Sequence, residues 1–353
     1  GKWHLGSGNT GPSDTGGWPN FSGTLQGGVS DYTVWNRVKI ENGTLTDSGT
    51  DIASLIPGTY SSPYATSVQV DEAVSFINAR GSDPWVVWMG FNAPHDPFHD
   101  PEPYVTIPGG YSTNGTTNRD LYIKMLEALD HEVGRLLQSV DLATTNIIVV
   151  GDNGTPGQVD QAPAGGIASA KGSLNEGGIH VPFFATGPDI TVTGTSDKLV
   201  HVVDLFSTIL DLTGVNVSNA TQGIDLHSRS LAPIFRGTDM DDRCIIAEKF
   251  NLNANTDGRA LIMDDWPQYK LVSIEDVTDP ADIPAYQMYE IGADGMESNT
   301  LATPPNPGDP HEDAYNTLVA KNESLVPAAG TGDTLYLELP NVTGPGGVPN
   351  NAN

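Results

Sequence analysis

The chain has 353 residues, with 44 acidic against 16 basic side chains and a formal charge of −28, which excludes nucleic acid and anionic membranes as expected partners. A single cysteine, Cys244, excludes an internal disulfide framework, and no run is long or apolar enough to predict a membrane-spanning helix. The length suits one large α/β domain plus a smaller one, while 40 glycines and 26 prolines require abundant loops.

In chain order, Gly1-Lys2-Trp3-His4-Leu5-Gly6 sets a cation and an imidazole two residues apart, on one face of an extended segment. A lysine can neutralise an oxyanion and a histidine can move a proton near neutral pH; the plain alternative is two solvated side chains. Residues 7–62, rich in Gly, Thr, Ser and Asn, read as surface loops with short strands and no core, with Trp18 and Trp35 packed beneath them. Residues 64–80 carry Val70, Ala73, Val74 and Ile77 at helical spacing, and Asp83-Pro84 ends that helix. Residues 85–91, WVVWMGF, read as a buried strand. It leads into Asn92-Ala93-Pro94-His95-Asp96-Pro97-Phe98-His99, where His95, fixed between prolines, is placed as a general acid or simply as a loop histidine. His99 and Asp100 are further metal-ligand candidates of lower weight.

Residues 118–140 form the clearest helix, with the apolar stripe Tyr122, Met125, Leu126, Leu129, Val133, Leu136, Leu137 and Val140, and with His131 and Glu132 expected in solvent. The run Ile147-Ile148-Val149-Val150 then reads as a buried strand ending in Gly151-Asp152-Asn153-Gly154. Ligands in open α/β sheets sit at the carboxyl ends of strands. Adjacent Asp152 and Asn153 offer hard oxygen donors suited to Ca²⁺ or Mg²⁺, although the same four residues also make an ordinary turn. A glycine-rich loop continues through Lys171 to Glu176-Gly177-Gly178-Ile179-His180-Val181-Pro182. The order strand, helix, strand predicts an α/β domain with a mostly parallel sheet.

Residues 183–186 read as a short strand and 200–212 as a helix stopped by Gly214. A boundary is placed near 238–242. Beyond it, 244–248, 260–263, 269–273 and 287–291 read as a small antiparallel sheet, and 311–325 as a closing helix. The resulting division is 1–238, an α/β domain; 239–325, a small α+β subdomain; and 326–353, a Gly, Pro and Asn-rich tail.

These motifs resemble the sulfatases of the alkaline-phosphatase superfamily. Gly1 to Gly6 resembles the family's GKWHLG signature and Pro94 to Phe98 its PHxPF. Gly151 to Gly154 resembles its calcium motif, and Lys171 with Glu176 to Pro182 its K…EGG-I-R-VP loop, with His180 where Arg is usual. The resemblance implies an alkaline-phosphatase-like fold: a large, mostly parallel or mixed sheet flanked by helices, plus the small C-terminal antiparallel sheet with its helix. It implies that Lys2 and Lys171 bind sulfate oxygens, that His4 handles the proton of the nucleophile's second hydroxyl, and that His95, alone or with Lys171, protonates the departing alcohol. Asp152 and Asn153 are the implied Ca²⁺ ligands, and Asn153 speaks against the related phosphodiesterases, which usually carry His there.

The family's nucleophile is formylglycine, made within C/S-x-P-x-R, and no such motif occurs in the 353 residues. Cys244 and the Ser61-Ser62-Pro63 stretch lie in the wrong context. The expectation is a secreted or periplasmic sulfatase acting on a sulfated small molecule or carbohydrate, with nucleophile and further metal ligands upstream of Gly1. Its own missing N-terminal segment is then a partner, and the chain alone is expected to be inactive. The alternative is a truncated or degenerate relative with a binding or structural role.

Overall fold

Glycine, asparagine and threonine in the first sixty residues break the chain often, yet β-branched and aromatic side chains between them find partners. In the computed structural model, β1 (Phe21–Gly23), β2 (Asn36–Glu41) and β3 (Thr44–Asp51) form an antiparallel sheet with order β1-β2-β3. The structure describes residues 1–6, 8–55, 58–60, 62–159, 170–221, 224, 226–251, 256–276 and 284–325. The expected tail at 326–353 lies outside the described residues.

The described residues fall into two compact units, those within 1–147, 158–159 and 186–188, and those within 148–157, 170–185 and 189–325. In the first, a short helix α1 (Gly11–Asp14) precedes the sheet, and two long helices follow it. Helix α2 (Ala65–Arg80) ends at Gly81, whose φ of 60° lies in the left-handed region that favours glycine. Helix α3 (Asn118–Leu137) starts with a capping box, in which Thr117 and Asp120 exchange side-chain-to-backbone hydrogen bonds. The core of this unit gathers Val29, Tyr32, Trp35, Ile52 and Tyr60 with Tyr64, Val68, Met125 and Ala128. Residues 7–62 therefore supply core, contrary to expectation: the large aromatic side chains reach past their loops and are worth burying singly.

Two further expectations change. Glu132 is buried, not solvated: it accepts from Ser67 Oγ at 2.8 Å and pairs with Arg135, which also reaches Asp71 at 2.6 Å. The α2–α3 seam is thus partly ionic, which the apolar stripe did not disclose. Residues 85–91 form no strand. A strand needs a ladder. Among the described residues the Lys2 N–H donates to the Gly90 carbonyl at 2.6 Å, while Val86 and Trp88 stand 47% and 55% exposed.

The second unit contains most of β4 (Ile147–Val150) and β5 (Phe183–Thr186), which pair, and the short helix α4 (Glu176–Ile179) between them. Helices α5 (Asp204–Leu212), α6 (Val217–Thr221) and α7 (Ala232–Phe235) follow. Asp204, fully buried at the first residue of α5, accepts the His201 N–H and ties the helix to the Arg229 N–H and the Arg243 guanidinium. Then β6 (Cys244–Asn251), β7 (Thr256–Met263), β8 (Tyr269–Asp276), β9 (Ala285–Ile291) and β10 (Glu297–Leu301) form an antiparallel meander, closed by α8 (Glu312–Leu325). Strand alternation gives this sheet two distinct faces. Leu261, Leu271 and Met288 pack on Ala314 and Leu318 of α8; Ala260, Val272 and Tyr289 face Leu174 and Ile179.

The small C-terminal antiparallel sheet with a helix is as expected. The large sheet is not assembled among the described residues, whose strands form sheets of three, five and two. No helix among them is long and apolar enough to cross a membrane.

Candidate functional site

Three of the sequence-derived site residues belong to the first unit. The backbone of Lys2 pairs with Thr24 in a parallel bridge, and Trp3 and His4 donate to Thr24 and Leu25. His4 is exposed and has φ 58°, a conformation uncommon for a non-glycine residue. Such an outlier is the kind of local strain that accumulates at functional sites.

His95 sits in the turn after residues 85–91. Both flanking prolines, Pro94 and Pro97, follow cis peptide bonds. The turn is held by neutral hydrogen bonds: Tyr32 Oη donates to the carbonyls of Asn92 and His95, each at 2.8 Å. Asn92, buried, accepts from Gln69 Nε2 at 2.5 Å and donates to Thr24 Oγ1 at 3.4 Å. The imidazole Nδ1 of His95 lies 2.8 Å from Asp96 Oδ1. This leaves Nε2 as the ring atom for external chemistry.

The two histidines rest on adjacent glycines. A Cβ at Gly27 would be driven into the His4 ring, and one at Gly28 would lie 3.3 Å from His95 Nδ1. Gly27 and Gly28 therefore form a platform that admits both imidazoles. In the sequence they look like ordinary loop glycines; the signal was their pairing, not their type.

His99 and Asp100 are engaged otherwise. The His99 ring lies 4.5 Å from the Tyr32 ring and its Nε2 is 3.2 Å from Tyr64 Oη. Asp100 pairs with the buried Lys124 at 2.7 Å. That ammonium, with its hydrogen bond, holds the Asp100 carboxyl low against the opposing effect of burial.

The second unit holds Asp152, Asn153 and Lys171. All three are exposed, and Asp152 and Asn153 follow β4 after Gly151. Their turn is tied to the 171–180 segment at both ends. The Lys171 N–H donates to the Thr155 carbonyl at 2.8 Å, and the Gly154 N–H to the Gly178 carbonyl at 2.9 Å. The approach is so close that a Cβ at Gly154 would enter the Gly177 carbonyl, and one at Gly178 the Ser173 carbonyl. Asn153 Nδ2 donates to the Gly154 carbonyl at 3.1 Å, which leaves its side-chain oxygen for another partner.

Beneath this segment lies a buried charged cluster that the sequence did not disclose. Lys270 of β8, fully buried, pairs with Glu176 at 2.7 Å and Glu297 at 3.0 Å. Glu297 Oε1 also accepts the Glu176 N–H at 2.7 Å. His180 Nδ1 lies 3.1 Å from Glu176 Oε2 at the exposed rim. Burial raises the Glu176 carboxyl, but hydrogen bonds and charge from His180 and Lys270 outweigh it, and the net shift is downward. The hydrogen bond that His180 donates to Glu176 raises the imidazole in turn, against desolvation. Cys244, on β6, is no candidate nucleophile: burial pushes its thiol up to about 11, away from the reactive thiolate.

Asp152 and Asn153 fit Ca²⁺ in donor type and exposure, but two donors fall short of the roughly 6–8 oxygens that Ca²⁺ takes. Among the described residues no group of three or more His, Cys, Asp or Glu is arranged to hold a metal.

Comparison with known proteins gives the same direction. The chain is 26% identical over 160 residues to the uncharacterized sulfatase YdeN of Escherichia coli K12, covering 44% of this chain and 28% of that protein. It is 30% identical over 141 residues to arylsulfatase A of Bos taurus, covering 38% and 27%. With arylsulfatase K of Rattus norvegicus it shares 24% over 208 residues, covering 55% and 34%. The matches thus span between 27% and 34% of these relatives' own lengths. The fold is similar to the crystal structure of Ps i-CgsB in complex with k-i-k-neocarrahexaose, with TM-score 0.66 and 21% identity over 92% of this chain and 70% of that one. The sulfatase family model itself matches residues 1–215, more than half of the chain, and the chain belongs to the sulfatase family.

Proposed function

We propose that this chain is part of a secreted or periplasmic, calcium-dependent sulfatase that hydrolyses a sulfate ester of a carbohydrate. The observation that carries the reading is the Asp152-Asn153 turn at the end of β4, tied by backbone hydrogen bonds to the Lys171 segment within a family match over residues 1–215. The hexaose bound by the similarly folded Ps i-CgsB supports a carbohydrate substrate. The division at 238–239 and the large mixed sheet belong to the same reading.

In this proposal Asp152 and Asn153 hold Ca²⁺ together with donors from outside the 353 residues. Held there, the ion would supply positive charge toward the sulfate. Lys2 and Lys171 offset the charge that grows on the sulfate oxygens in the transition state. His95, with Nδ1 engaged by Asp96, gives a proton from Nε2 to the departing alcohol. His4 would take the proton of the nucleophile's second hydroxyl. Because no C/S-x-P-x-R motif occurs in the sequence, the formylglycine that provides the nucleophilic oxygen is assigned to residues outside it.

The test has two arms, each assayed with Ca²⁺ on an aryl sulfate and an aryl phosphate diester. Residues 1–353 alone should show no saturable hydrolysis of either ester. The protein carrying its upstream C/S-x-P-x-R segment should hydrolyse the sulfate and lose that turnover on Asp152→Ala. Turnover by residues 1–353 alone would overturn the placement of the nucleophile. Inactivity of the extended protein would favour the non-catalytic alternative.

A further inference from the structure

We propose that Lys270 and Glu297, on strands β8 and β10, are positioning residues that hold the 171–180 segment and, through it, the Asp152-Asn153 turn. The functional meaning of the proposal rests on the sulfatase reading; the holding itself rests on contacts within one unit.

The linkage can be followed bond by bond. Glu297 Oε1 accepts the Glu176 N–H at 2.7 Å, at the first residue of α4, and also accepts from Lys270. Lys270 Nζ reaches back to Glu176 Oε1 at 2.7 Å. The main chain and side chain of Glu176 are therefore both fixed by the sheet. Two residues on, the Gly178 carbonyl receives the Gly154 N–H at 2.9 Å, and Gly154 directly follows Asn153. Leu174 and Ile179 seat the same segment against Ala260, Val272 and Tyr289. The apolar contacts give adhesion without register; the Lys270–Glu176–Glu297 bonds fix which residue lies where.

Stability alone does not explain such a cluster. Lys270 and Glu297 have side chains 0% and 1% exposed, and well-packed apolar residues would serve as well or better for burial. What charges add is geometric selection: Glu297 Oε1 has one donor from the backbone of α4 and one from the side chain of β8, and both must be satisfied together. Glu297 Oε2 has no hydrogen-bond partner among the described residues, so one oxygen performs the whole task.

The experiment measures amide hydrogen exchange at Gly154 and Glu176 on the 353-residue chain, and calcium binding by titration calorimetry on the protein carrying its upstream segment, because Asp152 and Asn153 alone fall short of a calcium shell. Glu297→Ala is compared with Glu297→Gln, which keeps the Oε1 acceptor. Leu318→Ala, which disturbs the opposite face of the same sheet, serves as the stability control. Glu297→Ala should accelerate exchange at both amides beyond the Leu318→Ala control and weaken calcium binding by ~10-fold, the lower end for outer-shell partners of metal ligands. Glu297→Gln should stay near the parent in both. If Glu297→Ala does not fold, Glu297→Asp, shorter by one methylene, is read in its place with the same expectation. Exchange and affinity indistinguishable from the control would overturn the proposal. Exchange that rises as expected while the extended parent binds no calcium would retain the positioning and remove the calcium-site reading, so the two can fail separately.

Discussion

Two loops carry the candidate chemistry, and they are held by different forces. The His95 turn is fixed by neutral groups: a tyrosine hydroxyl shared between two carbonyls, and an asparagine shared between Gln69 and Thr24. The 171–180 segment is fixed by ions, two carboxylates around one buried ammonium with an imidazole at the rim. A neutral bond that is broken leaves a polar atom without a partner, whereas a broken buried ion pair leaves a charge. The same topological task thus carries a larger penalty for failure in the second unit.

The contrast can be broken most forcefully at Lys270. Lys270→Ala leaves Glu176 and Glu297 facing each other without their cation, and should destabilise the second unit by about 3–5 kcal/mol. Urea unfolding followed by the fluorescence of Trp266, which packs in the core under the five-stranded sheet, measures this. A loss below about 1 kcal/mol would show that the cluster is solvated and the comparison misconceived.

Tyr32→Phe tests the neutral side. Removing the hydroxyl leaves the Asn92 and His95 carbonyls without that donor, at an expected cost of about 1–3 kcal/mol. Urea unfolding followed at Trp35, which is buried in the same core as Tyr32, should rank it below Lys270→Ala. Equal or greater loss would reverse the contrast.

The smallest effect is that of pH. His180 is raised above its ordinary 6.5, so its contribution is complete below that value and fades as pH rises through the higher folded-state value. Glu176 is lowered below its ordinary 4.5, so its contribution is complete above 4.5 and fades as pH falls through the lower folded-state value. Both are present together between 4.5 and 6.5. Thermal midpoints measured across that window should decline on its alkaline side in the parent and less so in His180→Gln. Identical profiles would remove His180 from the cluster.

What the sequence disclosed follows from how local its signals are. Strands β4 and β5 and helix α3 announce themselves through β-branched runs and an apolar stripe. Four strands of the meander were legible for the same reason. Strand β10, ESNTL, was not, because a polar edge strand is specified by its neighbour β9 and not by its own side chains. Residues 85–91 show the converse: strong strand propensity without a ladder to join. For the candidate chemistry, motif resemblance pointed to Lys2, His4 and His95 in the first unit and to Asp152, Asn153 and Lys171 in the second. It did not find Gly27, Gly28, Lys270 or Glu297, which act by what they sit against. Lys270 stands two residues before Val272, on the same face of β8, and that parity was the available hint that a charge had been placed toward a covered surface.

The burial of the Lys270 cluster has a consequence for ionic strength. Dissolved ions weaken the attraction between charges that they can approach, over a screening length of about 8 Å at physiological salt. Lys270 and Glu297 are sealed from them, so brine has no path by which to loosen the segment. The rest of the molecule carries an excess of negative charge, −28 over the chain, whose mutual repulsion dissolved cations relieve. Rising salinity therefore calms the surface of this protein while the charged joint beneath α4 keeps its grip.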